Sequence, residues 1–294
     1  MPTNQRVRRT PPRLFDGGYQ EFPLTMSTSG QSKSKSKKFV ELLKRPPAEI
    51  VERVRNWAEG RFDTFGSVER PAALSLPKLL VKLGEVLPNY IPGQFDEEIA
   101  LLRRELADRQ EAVALGENLG LFHDGSPILG ELLYSVTRAL RPRVVVETGV
   151  AHGVTSCHIL SALARNGLGT LDSIDLPPLV DKEVENTVGV LVPHHLRERW
   201  TLHRGTSRNL LVPLCERLRG LNLFIHDSLH TRATMLFEFQ VALKYMARPA
   251  AIVSDDIGMN GAFRRLIEIS KPTFSAEVRR AEGGEGQVGI CVFL

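Results

Sequence analysis

The sequence predicts an α/β fold, a doubly wound and mostly parallel seven-stranded sheet with an N-terminal helical extension. Two observations support this class. From residue 126 onward, apolar strand-like runs alternate with helical stretches, and five such βα units imply a parallel sheet with right-handed crossovers. Near the middle, RVVVETGVAHG (143–153) joins an apolar strand to a glycine-spaced turn that opens a helix. This is how the first βα turn of such sheets holds a nucleotide-type ligand.

The predicted elements follow in order along the chain. Ahead of the sheet, two short helices within 39–60 are broken at Pro46-Pro47, and longer helices cover 76–91 and 95–118. The two final strands flank a GGEG turn, so the last strand should run antiparallel to the others. We expect strands at 143–148, 170–175, 200–205, 221–227, 250–255, about 273–280 and 287–294, and helices at 126–140, 154–165, 207–219, 231–247 and 261–270, with a helix or loop near 179–198.

Composition divides the chain into three regions. Residues 1–38 carry eight Lys and Arg against two acids and are rich in Ser, Thr, Gly and Pro, which predicts a disordered basic tail. A nucleic-acid role for such a tail is an alternative, although short basic tails are often solvated linkers. Residues 39–125 are predicted to form a helical cap or dimerisation region, so a homodimer is possible. Residues 126–294 are predicted to form the ligand-binding domain.

Cysteine usage and hydropathy point to a cytoplasmic protein without a membrane span. Cys157, Cys215 and Cys291 are far apart, and none has the spacing of metal ligands. We therefore expect reduced thiols, as in a cytoplasm. No apolar run approaches the roughly 18 residues that a membrane-spanning helix needs.

The glycine-spaced turn predicts a cofactor site. Gly149 and Gly153 permit positive φ and a close backbone approach to a ligand. Glu147 suits a cationic group such as an ammonium or sulfonium; the alternative is an ordinary turn in which it caps a neighbouring amide. Asp175 ends the next strand, where an acid accepts hydrogen bonds from both ribose hydroxyls. After the third strand, Gly205, Thr206 and Ser207 are candidates to border an adenine, and Ser207 alternatively N-caps the following helix.

Carboxylates also end the fourth and fifth strands. Asp227 closes one strand, and Asp255 and Asp256 close the next. Three acids at one rim of the sheet are costly unless a cation or protons neutralise them, and an all-oxygen ligand set favours Mg²⁺. Because adjacent strand residues point to opposite faces, Asp255 and Asp256 can share one ion only if the chain turns there. Otherwise Asp256 N-caps or supports a loop.

His230 follows Asp227 by three residues, in the loop that leaves the same strand. An imidazole at this rim suits proton removal near neutral pH, so His230 is the candidate general base. A purely structural histidine is the alternative.

These motifs resemble those of class I S-adenosylmethionine (SAM)-dependent methyltransferases. The resemblance rests on E-x-G-x-x-x-G from Glu147, D-S-L-H from Asp227 and S-D-D-I-G-M-N at 254–260, and it covers about 126–294. Within that class, the motifs are most similar to the metal-dependent macrolide-sugar O-methyltransferases of the macrocin and mycinamicin type. Ala151 departs from the pattern, because many members carry a glycine there.

The resemblance implies a SAM-binding methyltransferase domain over 126–294 and a Mg²⁺ site at Asp227, Asp255 and Asp256, with His230 as the base. The implied function is O-methylation of a hydroxyl on a sugar, another small natural product or a glycolipid. A scaffold protein that keeps the fold without chemistry is one alternative. A nucleic-acid-directed methyltransferase using the basic tail is another, but D-S-L-H stands where enzymes acting on exocyclic amines carry an Asn/Asp-Pro-Pro-aromatic run. We therefore do not expect a nucleic-acid partner.

Overall fold

The computed structural model describes residues 40, 42–62, 73–87, 89–114, 126–176, 186–279 and 287–294. The predicted disordered tail and the GGEG turn lie outside the described residues. Among the helices described, none is long and apolar enough to cross a membrane. The helices are α1 (Pro47–Phe62), α2 (Leu76–Val86), α3 (Asp96–Ala114), α4 (Pro127–Leu140), α5 (Val154–Asn166), α6 (Ser207–Leu218), α7 (Arg232–Tyr245) and α8 (Ala262–Ser270). The strands are β1 (Val144–Thr148), β2 (Thr170–Asp175), β3 (Trp200–Arg204), β4 (Leu221–His226), β5 (Met246–Ser254), β6 (Phe274–Arg279) and β7 (Gln287–Phe293), and short 3-10 helices cover His194–Arg199 and Ile257–Met259.

The seven strands form one sheet in the order β3-β2-β1-β4-β5-β7-β6. Strands β1 to β5 pair in parallel, and β7 pairs antiparallel with both β5 and β6. The predicted α/β fold with a seven-stranded, mostly parallel sheet and an antiparallel last strand is therefore confirmed.

Helices cover both faces of the sheet, so the central strands are apolar on both sides. One core contains Val145, Leu223 and Val253 with helices α2 to α5, and the other contains Val146 and Phe224 with helices α6 to α8. Successive residues of β1 and of β4 thus point into opposite cores, as the two-residue period of a strand requires. The three cysteines are free and buried.

The N-terminal helices α2 and α3 pack into the same core as the sheet. Leu79 and Leu83 of α2 are almost fully buried, and Leu102 and Leu106 of α3 belong to the same cluster. Just before α2, Leu74 donates its backbone N–H to the Glu277 carbonyl of β6 at 2.8 Å. These helices therefore complete one face of the sheet.

Strand β5 begins four residues earlier than the sequence predicts, and α7 correspondingly ends at Tyr245. The added residues include Pro249, although proline cannot donate to a sheet ladder. The structure places Pro249 at an irregularity, where the pairing of β4 with β5 shifts register between Leu221 and Leu223. The Asn222 side chain donates to the carbonyls of Ala247 and Pro249 at this point.

Candidate active site

The carboxyl ends of β2, β1, β4 and β5 form one continuous rim. Just past the strands, backbone N–H groups of the loops still donate to carbonyls of the neighbouring strand, so the first loop residues stay in register. This fixes the predicted site residues relative to one another. The bonds are Gly205 N to Asp175 O (2.8 Å), Gly149 N to Ile174 O (2.9 Å), Asp227 N to Thr148 O (2.8 Å) and Asp255 N to His226 O (2.9 Å).

The glycine-spaced turn packs tightly against neighbouring loops. Gly149 has a φ of 86°, and a Cβ atom there would lie 1.9 Å from the Asp227 carbonyl oxygen. Gly153 has a φ of 94°, and its Cβ would lie 3.0 Å from the Cα of Gly189. Ala151, where the sequence departs from the glycine pattern, also has a positive φ, of 48°. The protein's own backbone therefore requires glycine at both predicted positions.

Asp175 holds the turn from the end of β2. Its Oδ2 accepts the backbone N–H groups of Val150 at 2.7 Å and Ala151 at 3.3 Å, and its Oδ1 makes no hydrogen bond with the described residues. Burial raises the pKa of this carboxyl, while the two backbone donors and the nearby charges of Arg204 and Arg53 act in the opposite direction. Asp175 therefore keeps one acceptor oxygen beside the turn.

Glu147 lies beneath the turn, inside the protein. The side chain is fully buried and accepts hydrogen bonds from Thr155 at 2.7 Å, Ser156 at 2.6 Å and Ser173 at 2.7 Å. Burial raises its pKa, and the three hydroxyl donors oppose that rise. Both oxygens are thus bonded within the protein, and Glu147 ties β1 to β2 and to the start of α5.

Ser207 is the first residue of α6, but Thr206 caps the helix. The Thr206 hydroxyl accepts from the Asn209 N–H at 3.3 Å, which is an N-cap contact. The Ser207 side chain lies close enough to Glu238 of α7 to help lower the pKa of that carboxyl. Thr206, and not Ser207, is therefore the N-cap of α6. The contact of Ser207 with an adenine stays a prediction.

Glu238 centres a buried polar network that the sequence reasoning missed. It is fully buried, and its carboxylate contacts Thr148 Oγ1 at 2.6 Å, His226 Nδ1 at 2.6 Å and Ser228 Oγ at 3.0 Å. Burial alone would raise the pKa of Glu238, but the charge and hydrogen bond of His226, with the other donors, hold it below the usual range. The available sequence signal for this buried acid was its place between Phe237 and Phe239 in α7.

The network reaches the candidate base. The rings of His226 and His230 pack edge to face with centroids 5.2 Å apart. On its other side, His230 places Nε2 3.7 Å from Asp256 Oδ2, so the ends of β4 and β5 do meet as predicted. The three side chains therefore form a continuous path from the buried interior to the rim.

The predicted magnesium triad is not assembled. Among the described residues, no group of three or more His, Cys, Asp and Glu side chains is arranged to hold a metal ion. The chain does turn at Asp256, which has a φ of 46°. Asp256 faces His230, whereas Asp255 is buried with only 3% of its surface exposed. In the described structure, Asp227, Asp255 and Asp256 therefore do not form a ligand set for a shared magnesium ion.

Helix α1 lies against the same rim. Glu49 accepts from Arg204, at the end of β3, at 3.0 Å. Glu59 contacts Arg208 at 2.7 Å and accepts from the hydroxyls of Thr231 and Thr234 at 2.9 Å each. Both ends of α1 are therefore anchored at the carboxyl rim of the sheet.

One segment of the chain matches a known protein family. Residues 146–257 match a family model described as a methyltransferase domain. The chain carries a methyltransferase domain. The matched segment of this methyltransferase domain includes every predicted site residue from Glu147 to Asp256. Helix α1 lies outside it.

Several solved structures are similar to this chain. The chain is similar to an O-methyltransferase from Bacillus cereus in complex with SAH, at 16% identity and a TM-score of 0.49, covering 74% of this chain and 98% of that chain. It is also similar to the O-methyltransferase TomG from Streptomyces achromogenes, which is involved in tomaymycin synthesis and was solved in complex with SAM. The identity is 16% and the TM-score is 0.46, and the match covers 74% of this chain and 97% of that chain. No curated protein matches the chain significantly.

Proposed function

We propose that this chain is a SAM-dependent O-methyltransferase that acts on a hydroxyl group of a sugar, another small natural product or a glycolipid. The main support for the proposal is the contact between Asp175 and the first βα turn. Asp175 fixes the turn through Oδ2 and keeps Oδ1 without a hydrogen bond to the described residues. A carboxylate oxygen at this position suits a ribose hydroxyl. The family-model match over 146–257 supports the reading.

The predicted cofactor residues divide into direct and indirect roles. Asp175 would contact the cofactor directly through its ribose. Gly149 and Gly153 would give the turn its shape, since neither position has space for a side chain. Glu147 would act from beneath by fixing the residues that open α5, and Ser207 would act through the nearby carboxyl of Glu238.

In the proposed reaction, His230 removes the proton from the acceptor hydroxyl. Bound SAM supplies an electrophilic methyl group on its sulfonium. Asp256, with its carboxylate 3.7 Å from His230 Nε2, would stabilise the imidazolium that forms as the proton arrives. Positioning of the acceptor oxygen and of His230 would supply most of the remaining rate acceleration.

No step of this mechanism passes through a metal ion, because the described carboxylates do not form a ligand set. Magnesium assistance was an implication of the macrocin-type resemblance. The binding experiment below tests it by comparing Mg²⁺ with EDTA.

The remaining expectations concern partners. The acceptor is proposed to be a small hydroxylated molecule. A homodimer and a cytoplasmic location stay predictions from the sequence. A scaffold role and a nucleic-acid-directed activity are the outcomes that would replace the proposal.

The test begins with calorimetric titration of the purified full chain with SAM, S-adenosylhomocysteine and NAD, each in Mg²⁺ and in EDTA. Binding of the two adenosyl ligands, but not NAD, is the expected result. Absence of adenosyl binding would contradict the proposal and favour the scaffold role. Affinity for nucleic acid that falls steeply with salt, and is lost when residues 1–38 are deleted, would favour the nucleic-acid alternative.

The catalytic assignment is tested by His230→Ala, with exposed His194→Ala as the matched control. We expect methyl transfer to a hydroxylated acceptor to fall by about 10²- to 10⁴-fold in His230→Ala, with SAM affinity nearly unchanged. His194→Ala should behave as wild type. Equal turnover in the two variants would remove His230 from the mechanism.

A further inference from the structure

Helix α1 crosses the sheet's carboxyl rim from β3 toward β4. Glu49 is bonded to Arg204 at the end of β3, and Glu59 is bonded to Thr231 in the loop after β4. Ten residues of α-helix span about 15 Å. The order β3-β2-β1-β4 places three strand spacings of about 4.8 Å each, or about 14 Å, between these ends. The middle of α1 therefore passes over the ends of β2 and β1, where Asp175 and the glycine turn lie.

The side of α1 that faces this rim is acidic. Glu49, Glu52, Asn56 and Glu59 recur at spacings of three and four residues, which places them along one face of the helix. Glu52 is only 9% exposed. Its two valines, in contrast, lie outside, with Val51 62% and Val54 41% exposed, while Ile50 is half-buried. A helix that served only to cover an apolar core would bury its valines, so this arrangement indicates a polar occupant beneath α1.

Glu52 has a carboxylate oxygen that nothing in the described protein satisfies. Its Oε2 is buried and has no hydrogen-bond partner among the described residues. A buried carboxylate oxygen without a donor is costly, and a ligand that donates a hydrogen bond would remove that cost. The next residue, Arg53, is close enough to Asp175 to influence its carboxyl electrostatically. Together with the path of α1 over the end of β2, this places Glu52 on the side of the rim that carries Asp175.

We propose that Glu52 is a cofactor-binding residue that accepts a hydrogen bond from a ribose hydroxyl of the adenosyl ligand. The ribose would lie between Glu52, above, and Asp175, below, with α1 closing the pocket. This inference rests on the proposed function. It assigns a ligand contact to a helix outside the segment that matches the methyltransferase family model.

The test measures the affinity of wild type, Glu52→Ala and Glu52→Gln for SAM, S-adenosylhomocysteine and 5′-methylthioadenosine by calorimetry. Exposed Glu111→Gln on α3 is the charge-matched control. All three ligands carry the ribose, whereas methylthioadenosine lacks the amino-acid end. Loss of a hydrogen bond to a charged group predicts affinity weakened by about tenfold or more in Glu52→Ala, to the same extent for all three. The control should bind as wild type.

Three outcomes would overturn the inference while leaving the proposed function standing. Unchanged affinity in Glu52→Ala would remove the contact. Weakening for SAM and S-adenosylhomocysteine alone would move the contact to the amino-acid end. Tighter binding in Glu52→Ala would mean that α1 competes with the cofactor. If wild type binds none of the ligands, the proposed function itself fails.

A stability measurement separates a ligand contact from a structural role. Because Glu52 leaves a buried oxygen unsatisfied, Glu52→Ala should not lower the melting temperature of the ligand-free protein. It should reduce the rise in melting temperature that SAM produces in wild type. A large fall in the ligand-free melting temperature would mean that Glu52 holds the fold, which contradicts the proposal.

Discussion

The attachment of α1 to the rim depends mainly on Glu59, so Glu59→Ala should release the C-terminal half of the helix. The carboxylate is 14% exposed and contacts Arg208, itself 12% exposed, at 2.7 Å. It also accepts from Thr231 and Thr234, both of which are 97% buried. Thr231 is the N-cap of α7, so the negative charge of Glu59 also lies near the positive end of that helix.

The size of the effect follows from these three contacts. Each hydrogen bond contributes about 1 kcal/mol net, and bonds to a charged group contribute somewhat more. Their loss should destabilise the attached state of α1 by about 3 kcal/mol, which corresponds to roughly a 100-fold increase in its opening. Arg55→Ala removes the remaining ion pair of Glu59, but Arg55 is 51% exposed. An exposed pair contributes about 0 to 1 kcal/mol, so this control should change opening by less than about fivefold.

Native-state hydrogen exchange of the α1 amides measures this opening directly. We expect faster exchange in Glu59→Ala within α1, with exchange in the central strands unchanged. The same variant should release bound SAM faster, because the helix covers the proposed pocket. If the α1 amides exchange equally in Glu59→Ala and Arg55→Ala, other contacts hold the helix and our account of its attachment is wrong.

Three further changes test the rim itself. Gly149→Ala should lower the free energy of unfolding, measured in urea, by at least about 3 kcal/mol, because its Cβ would lie 1.9 Å from the Asp227 carbonyl oxygen. Near-wild-type stability would contradict this packing. Ala151→Gly should raise the free energy of unfolding by about 1 kcal/mol, because it relieves a φ of 48°. Lys271→Gly, at a φ of 45° far from the rim, should give a similar gain. A gain only at Lys271 would show that Ala151 is not strained. Glu238→Gln should be strongly destabilising near neutral pH. Because the folded pKa of Glu238 lies below its ordinary value of 4.5, its contribution is complete above that value and is lost as the pH falls through the folded pKa. The difference in unfolding free energy from wild type should therefore shrink from about pH 7 to about pH 3, and a constant difference would refute the assignment.

The fold could be predicted because its signals are local. Apolar runs, glycine turns and helix periods each depend on a few adjacent residues, and their alternation determines a parallel sheet. The rim could be predicted for the same reason: Asp175, Asp227 and Asp255 lie at strand ends, and the strand ends of a parallel sheet meet. The start of β5 was missed because Pro249, a local signal against a strand, is tolerated where the pairing with β4 is irregular.

The polar interior could not be predicted, because its contacts join residues far apart in the chain. Glu147 is satisfied by Ser173 on the next strand and by two residues at the start of α5. Glu238 meets His226 and Thr148 only after α7 packs on the sheet. The magnesium site stays a prediction for a related reason. The side-chain directions of Asp255 and Asp256 depend on the backbone turn at Asp256, and the described residues form no group arranged for a metal ion.

The acids near the turn can be ranked by how far the protein already satisfies them. Glu147 accepts three hydroxyl donors on two oxygens, Asp175 accepts two amides on one oxygen, and Glu52 keeps a buried oxygen with no donor among the described residues. A carboxylate that is fully bonded contributes to the folded protein, whereas an unsatisfied one costs free energy until a ligand donates to it. Alanine variants should therefore lower the ligand-free stability most at Glu147 and least at Glu52. Their direct effect on adenosyl-ligand affinity should follow the reverse order. If both properties ranked the three acids in the same order, hydrogen-bond satisfaction would not be what separates structural from ligand-binding acids at this rim.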